Sequence, residues 1–173
     1  MNKIIFRQYL PAFLFLFCLL GGCGYGFSGS GVLPGGVQHI YVALVTDRVG
    51  EAGLATRMTD DLVYVMVRSP QGAAADNADG ADAFLEGEIR SVSQTALSRT
   101  AGDTDIERRV TLTGFFVLRA KDGRVLWQRE MREDEVYSVG GNKAATESNR
   151  RNALETASLR MAEQVVARMG DDF

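Results

Sequence analysis

Two stretches of helical apolar spacing bracket a long block of alternating residues, and that order leaves few folds open. In 51–68, Leu54, Met58, Leu62, Val65 and Met66 recur at three- and four-residue steps, while Arg57, Asp60 and Asp61 lie off the stripe. In 144–169, Leu154, Ala157, Met161, Val165 and Met169 repeat the pattern, with Asn149, Arg151 and Glu155 elsewhere. Side chains at these steps share one face of an α-helix, so each segment is expected to be an amphipathic helix. Ser69-Pro70 ends the first, because a residue before proline is pushed out of the helical region.

The block between them reads as strands. Leu85, Gly87 and Ile89 share one face, Phe84, Glu86, Glu88 and Arg90 the other, with continuation toward Leu97. A polar turn around 99–103 leads into 109–119, where Val110, Leu112, Phe116 and Leu118 fall on one side. Asp122-Gly123 supplies the positive φ of a tight hairpin, and 125–130 is the next strand, extending toward Tyr137. Gly140-Gly141-Asn142 breaks the chain before the last helix. Ahead of the first helix, Ile40, Val42 and Leu44 alternate with Tyr41, Ala43 and Val45, a run apolar on both sides. Such a strand is buried from both faces or covered on one by a partner. The order is thus β-α-β-β-β-α. Helices with one apolar stripe each need a sheet face to cover, so the expected fold is α+β, a two-layer sandwich. Its sheet is four-stranded, mostly antiparallel (mixed), with two α-helices on one side.

The N-terminus has a different character. Lys3 and Arg7 precede an apolar run from Leu10 to Leu20, followed by Gly21-Gly22-Cys23. Charge, apolar run and small residues in that order make a signal peptide, and the run is too short for a membrane-spanning helix. Small residues directly before a cysteine resemble a bacterial lipobox, with Cys23 as the lipidated first residue of the mature chain. Gly24 rather than Asp follows it, which by resemblance to lipoprotein sorting in Gram-negative cells favours the outer membrane over inner-membrane retention. Cys18 is then discarded, no thiol remains for a disulfide, and the formal charge moves from −3 to −5 as Lys3 and Arg7 are lost. A net acidic chain argues against nucleic acid as a partner. The expected organisation is a signal peptide at 1–22, a Gly/Ser-rich lipidated tether at 23–36 and a single domain at 37–173. The literal G-x-G-x-x-G of Gly24, Gly26 and Gly29 fails as a dinucleotide fingerprint, because no strand precedes it and no helix follows.

Motifs for catalysis are missing. His39 is the only histidine, and no HExxH, CxxC or G-x-S-x-G occurs, so no cofactor or metal is expected. Glu86 and Glu88 share a strand face, as a glycosidase pair would, but Arg90 on the same face makes ion pairing the plainer reading. Arg90, Arg99, Arg108, Arg109, Arg119, Lys121, Arg124, Arg129 and Arg132 are concentrated in the sheet half. Arginine forks match phosphate oxygens, while Glu107, Glu130, Glu133 and Asp134 would instead balance them on a solvated surface.

Several features add up. Gly22-Cys23-Gly24-Tyr25, then Leu33-Pro34 shortly before Ile40-Tyr41-Val42, resembles the LPS-assembly outer-membrane lipoprotein (LptE) family. The later order fits too: helix, the Leu85-Glu86-Gly87-Glu88-Ile89 strand, a hairpin, and a last helix with Asn and Arg near its start. The resemblance spans the mature chain. It implies a non-enzyme at the periplasmic side of the outer membrane, lipid-anchored, that plugs a large β-barrel of the LptD type and binds lipopolysaccharide. It further implies that basic residues in the hairpin and near the start of the last helix contact lipid A phosphates, which here are Arg99 and Lys143, with Arg108 as a third. Phe115, Tyr137 and Tyr41 are candidate barrel contacts, with core packing the alternative for each. Two rival readings are a lipoprotein regulating a cell-wall synthase or transporter from the periplasm, and a hydrolase of envelope polymers.

Overall fold

The apolar stripes become the buried faces of two helices. The computed structural model describes residues 36–69, 74–99 and 105–171. The element order is β1 (Ile40–Val42), β2 (Thr46–Asp47), α1 (Leu54–Arg68), β3 (Ala83–Arg99), β4 (Asp105–Ala120), β5 (Val125–Ser138) and α2 (Lys143–Asp171). These residues all belong to one compact unit, Gly31–Phe173. The signal segment, Cys23 and the G-x-G-x-x-G lie outside the described residues.

Helix α1 starts at Gly53, whose φ of 79° glycine adopts without strain, and closes at Ser69 in an extended conformation just before Pro70. It buries Leu54, Met58, Leu62 and Met66. Helix α2 starts where Asn142 Oδ1 accepts the N–H of Ala145 at 2.9 Å, a side-chain cap on an otherwise unpaired donor. All five stripe residues of α2, Leu154, Ala157, Met161, Val165 and Met169, are buried.

The sheet runs β1-β3-β4-β5, with β2 also on β3. β1 and β2 pair parallel to β3, whereas β4 is antiparallel to both neighbours. The expected mixed sheet is present, with five strands because the first run is split. After Val42 the backbone leaves the ladder: the N–H of Val45 goes to Thr59 Oγ1 in α1 at 3.0 Å. Pairing resumes at Thr46. The detour shifts the alternation, so Val45 is buried and Leu44, in phase with Ile40 and Val42 by sequence, is 70% exposed.

One layer of helices covers one face of this sheet. α2 lies along β4 and β5, α1 along β1 and β2, and the helices pack on each other. Phe116 is wholly buried between them and the sheet. Its ring fits because Gly87 and Gly114 flank it: a Cβ on either would sit 2.9 Å from the nearest side-chain atom, Val45 Cγ2 at Gly87 and Phe116 Cε2 at Gly114. Strand β3 carries a register shift between Ile89 and Ser91, which resets its alternation. Beyond it Val92 packs on the core, and Gln94 Oε1 accepts a 2.5 Å hydrogen bond from the Tyr137 hydroxyl. Tyr137 is therefore a core residue and not a partner contact.

Candidate functional site

The three basic residues singled out from the sequence lie on elements that end together. Arg99 is the last residue of β3, opposite Asp105 at the start of β4. Arg108 pairs in register with Ala96 on one side and Tyr137 on the other. Glu107 pairs with Ser98 and with Ser138, after which the chain turns into α2, whose first residue is Lys143. The turn is fastened there: Val139 N–H reaches Ile106 O at 2.9 Å, and Asn149 Nδ2 donates to Ser138 O at 2.9 Å. One end of the sheet thus gathers the backbone of Arg99 and Arg108 with the first turn of α2.

The charges at that end are mixed. Lys143 is exposed, and the first turn of α2 holds no acidic residue, so the partial positive charge of the helix N-terminus adds to its ammonium. Arg108 is half-buried and already has an interaction within the fold. Glu107, exposed beside it, brings the opposite sign. A shallow cleft of about 330 Å³ opens next to this end, lined by Val136, Ser138, Asn149, Asn152 and Thr156 among others.

The other cluster of charge is the sheet face away from the helices. Glu86 and Glu88 are there, and arginines hold both: Arg119 Nε donates to Glu86 at 3.1 Å, and Arg48 Nη2 lies 2.9 Å from Glu88. Arg90 bridges Glu88 at 3.4 Å and Glu130 at 2.7 Å, with its guanidinium 4.1 Å from the Phe115 ring centroid. The ion-pair reading of the two glutamates holds. His39 does not join them; its Nδ1 is 3.4 Å from Asp82. Asp82 also accepts the backbone N–H groups of Gln38 and His39, which hold its carboxyl below the usual range. Among the described residues no group of three or more His, Cys, Asp or Glu could hold a metal ion. No helix among them is long and apolar enough to cross a membrane.

Three polar contacts escape the sequence reading. Arg150, unremarkable on a helix surface, forms a two-pronged pair with Glu51. Asp61, expected off the apolar stripe, is buried and accepts from Ser158 Oγ at 2.7 Å and Arg57 Nε at 3.1 Å. Asp134 accepts from Thr111 Oγ1 at 2.6 Å, which lowers its pKa. Each partner lies on another element or another turn, and only helical spacing (Arg57 to Asp61) was visible in advance.

Comparison with known proteins adds the remaining observation. A family model described as LptE, lipopolysaccharide-assembly, matches residues 37–169. Rare lipoprotein B of Shewanella oneidensis has a similar structure, with a TM-score of 0.55, 12% identity, and 76% of this chain and 95% of that one covered. A hypothetical protein of Chlamydia trachomatis is similar at a TM-score of 0.55 and 10% identity, over 76% of this chain and 94% of that one. A putative lipoprotein of Caulobacter crescentus follows at a TM-score of 0.51 and 9% identity, over 73% and 87%. At such identities the likeness is one of fold. No curated protein matches the sequence.

Proposed function

Because the chain belongs to the LptE lipopolysaccharide-assembly family, we propose that it is an outer-membrane lipoprotein anchored through Cys23 on the periplasmic side. In this reading it associates with a large β-barrel of the LptD type as plug and assembly partner, and binds lipopolysaccharide in transit to the cell surface. The observation that carries the reading is the family match, which takes in every strand and nearly all of α2. The fold is compatible in kind: among the described residues both helices lie on one side of the sheet, and Glu86, Glu88 and Glu130 on the other face are held in ion pairs.

In this reading ligand contact falls to Arg99, Arg108 and Lys143, at the end of the sheet where β3 stops and α2 starts. Lipid A phosphates are anions with several acceptor oxygens, and guanidinium or ammonium groups beside a helix N-terminus satisfy them by charge-assisted hydrogen bonds. Lys143 is the strongest of the three, being exposed with no acid in its helical turn. Arg108 is the weakest, since it already has an interaction in the fold. The test is Arg99→Asp with Lys143→Asp. Binding of purified lipopolysaccharide is expected to weaken by about tenfold or more, at about 1.5–3 kcal/mol per charge-assisted bond, with barrel association unchanged. Equal binding by the variant and the wild type would remove these residues from the site.

A further inference from the structure

The two edges of the sheet are finished differently. β1 is three residues long, and Ala74 already bridges its Ile40. At the other edge β5 has β4 on one side and no described strand on the other. From Trp127 onward its pairing with β4 shows no register shift, and the strand holds no proline. A regular edge of this length leaves a row of backbone N–H and C=O groups open to another strand. What guards it is charge, for Arg129, Glu130, Arg132, Glu133, Asp134 and Glu135 lie along it.

The order of those charges is self-complementary. Arg129 and Glu133 stand on the helix side, opposite the core residues Phe116 and Leu112 in register, and Gln164 of α2 donates to Glu133. Glu130, Arg132 and Asp134 stand on the open face away from the helices, where Arg90 lies 2.7 Å from Glu130 and Arg132 lies 3.5 Å from Asp134. A two-fold axis normal to the sheet sets a second β5 antiparallel to the first with both helix layers on one side, so residues directly opposite share a face. With Met131 opposite Met131, Arg129 meets Glu133 and Glu130 meets Arg132, each twice over, while Gln128 meets Asp134. Any slip that keeps the faces matched brings like charges together. One slip sets Arg132 on Arg132 and Glu130 on Asp134, and the slip the other way sets Glu130 on Glu130. Wider slips set Glu133 on Glu133 or Arg129 on Arg129. Glu133 carries a second sign of the same need. Burial raises its carboxyl above the ordinary 4.5, Arg160 pulls it down, and Asp134 and Glu135 push it up again. An arginine arriving opposite would relieve that crowding.

We propose that β5 is a self-recognition edge, through which two copies of the chain join antiparallel, centred on Met131, into one continuous sheet. The charges that repel other strands and other registers are satisfied only by a second copy in this one. Arg129 keeps the interaction it has within its own copy, because a guanidinium carries five N–H donors. The dimer is a state of the chain by itself and does not rest on the barrel association.

The test is a charge exchange in the full chain, produced in tagged and untagged form and extracted from membranes in mild detergent. Tagged wild type is expected to recover untagged wild type. Arg132→Glu and Glu130→Arg are each expected to lose self-recovery by about tenfold or more, since each sets like charges opposite one another twice. Mixed, the two variants are expected to recover each other at the wild-type level, because their substituted positions then meet with opposite sign. A second measurement leaves the charges of this exchange in place. Gln128→Cys in one copy and Asp134→Cys in the other are expected to form a disulfide on mild oxidation. Two Gln128→Cys copies are not, their positions lying about 20 Å apart in this register. Self-recovery of either charge variant at the wild-type level overturns the proposal, as does a wild type that recovers other proteins but no second copy. Where a charge variant fails to fold, the disulfide decides: its absence between positions 128 and 134, or its formation between two Gln128→Cys copies, overturns the register and with it the proposal.

Discussion

Arg150 and Glu51, ninety-nine positions apart, are joined by two parallel hydrogen bonds, Nη1 to Oε1 at 2.9 Å and Nη2 to Oε2 at 2.6 Å. Their side chains are only 14% and 20% exposed. The pair ties the turn before α1 to the second turn of α2, at the edge of a groove that also holds Arg57 and Arg151. Fork-to-carboxylate geometry of this kind is stronger than an ordinary surface ion pair.

Removing it should be felt in stability. Arg150→Ala is expected to cost about 2 kcal/mol in urea unfolding, since a half-covered carboxylate is left without its donors. Arg150→Lys should recover only part, because an ammonium cannot make both bonds. In a double-mutant cycle with Glu51→Gln, purely additive losses would contradict the account.

The Phe116 socket makes a sharper steric claim. Gly114→Ala would bring a methyl to 2.9 Å from the ring and 3.2 Å from Met161 Sδ. A packed ring has little room to give, so a loss of about 1–3 kcal/mol is expected, with partial recovery in Gly114→Ala combined with Phe116→Leu. An unchanged denaturation midpoint for the single variant would mean that the core yields there.

Two neighbouring carboxylates on β5 should respond to pH with opposite signs. The Thr111 hydroxyl holds Asp134 below its ordinary 3.8, helped by Arg132 and Arg109. A depressed carboxylate stabilises the fold above 3.8, and that contribution is lost as pH falls through the lower folded value. Glu133 runs the other way. Burial raises it above 4.5 against the pull of Arg160, so its ionisation opposes folding at neutral pH, and protonation on acidification relieves that cost. Thr111→Val is expected to move the Asp134 titration, followed by carboxylate NMR, back toward 3.8. Glu133→Gln, which keeps an acceptor for Gln164, is expected to flatten the rise in stability as pH drops toward 4.5. An unmoved Asp134 titration in Thr111→Val would contradict the first half, and an unaltered slope in Glu133→Gln the second.

The helices and the middle of the sheet were legible because periodicity is local: a stripe such as Leu154, Ala157, Met161 declares both the helix and its buried face. What was hidden depended on contacts across the fold. Leu44 shared the phase of Ile40 and Val42 in the sequence, but the Val45 N–H is drawn to Thr59 and the phase slips. The register shift after Ile89 concealed that Val92 packs on the core and that Gln94, itself exposed, takes the hydroxyl of the buried Tyr137. For the candidate site, the resemblance supplied Arg99, Arg108 and Lys143; the strand register brings the backbones of Arg99 and Arg108 toward the end of the sheet from which α2 starts at Lys143. The matched charge of the open face was only half legible. Glu86, Glu88 and Arg90 announced it, but Arg48, Arg119 and Glu130 arrive from three other segments.

The central claim is a barrel partner, and recovery of the intact chain from Gram-negative outer membranes tests it most directly. Affinity-tagged protein, extracted in mild detergent after fatty-acid labelling, should carry the label, unlike Cys23→Ala, and bring with it one large β-barrel protein in one-to-one ratio. Recovery of the labelled chain alone, or with a penicillin-binding protein in the place of a barrel, would contradict the account.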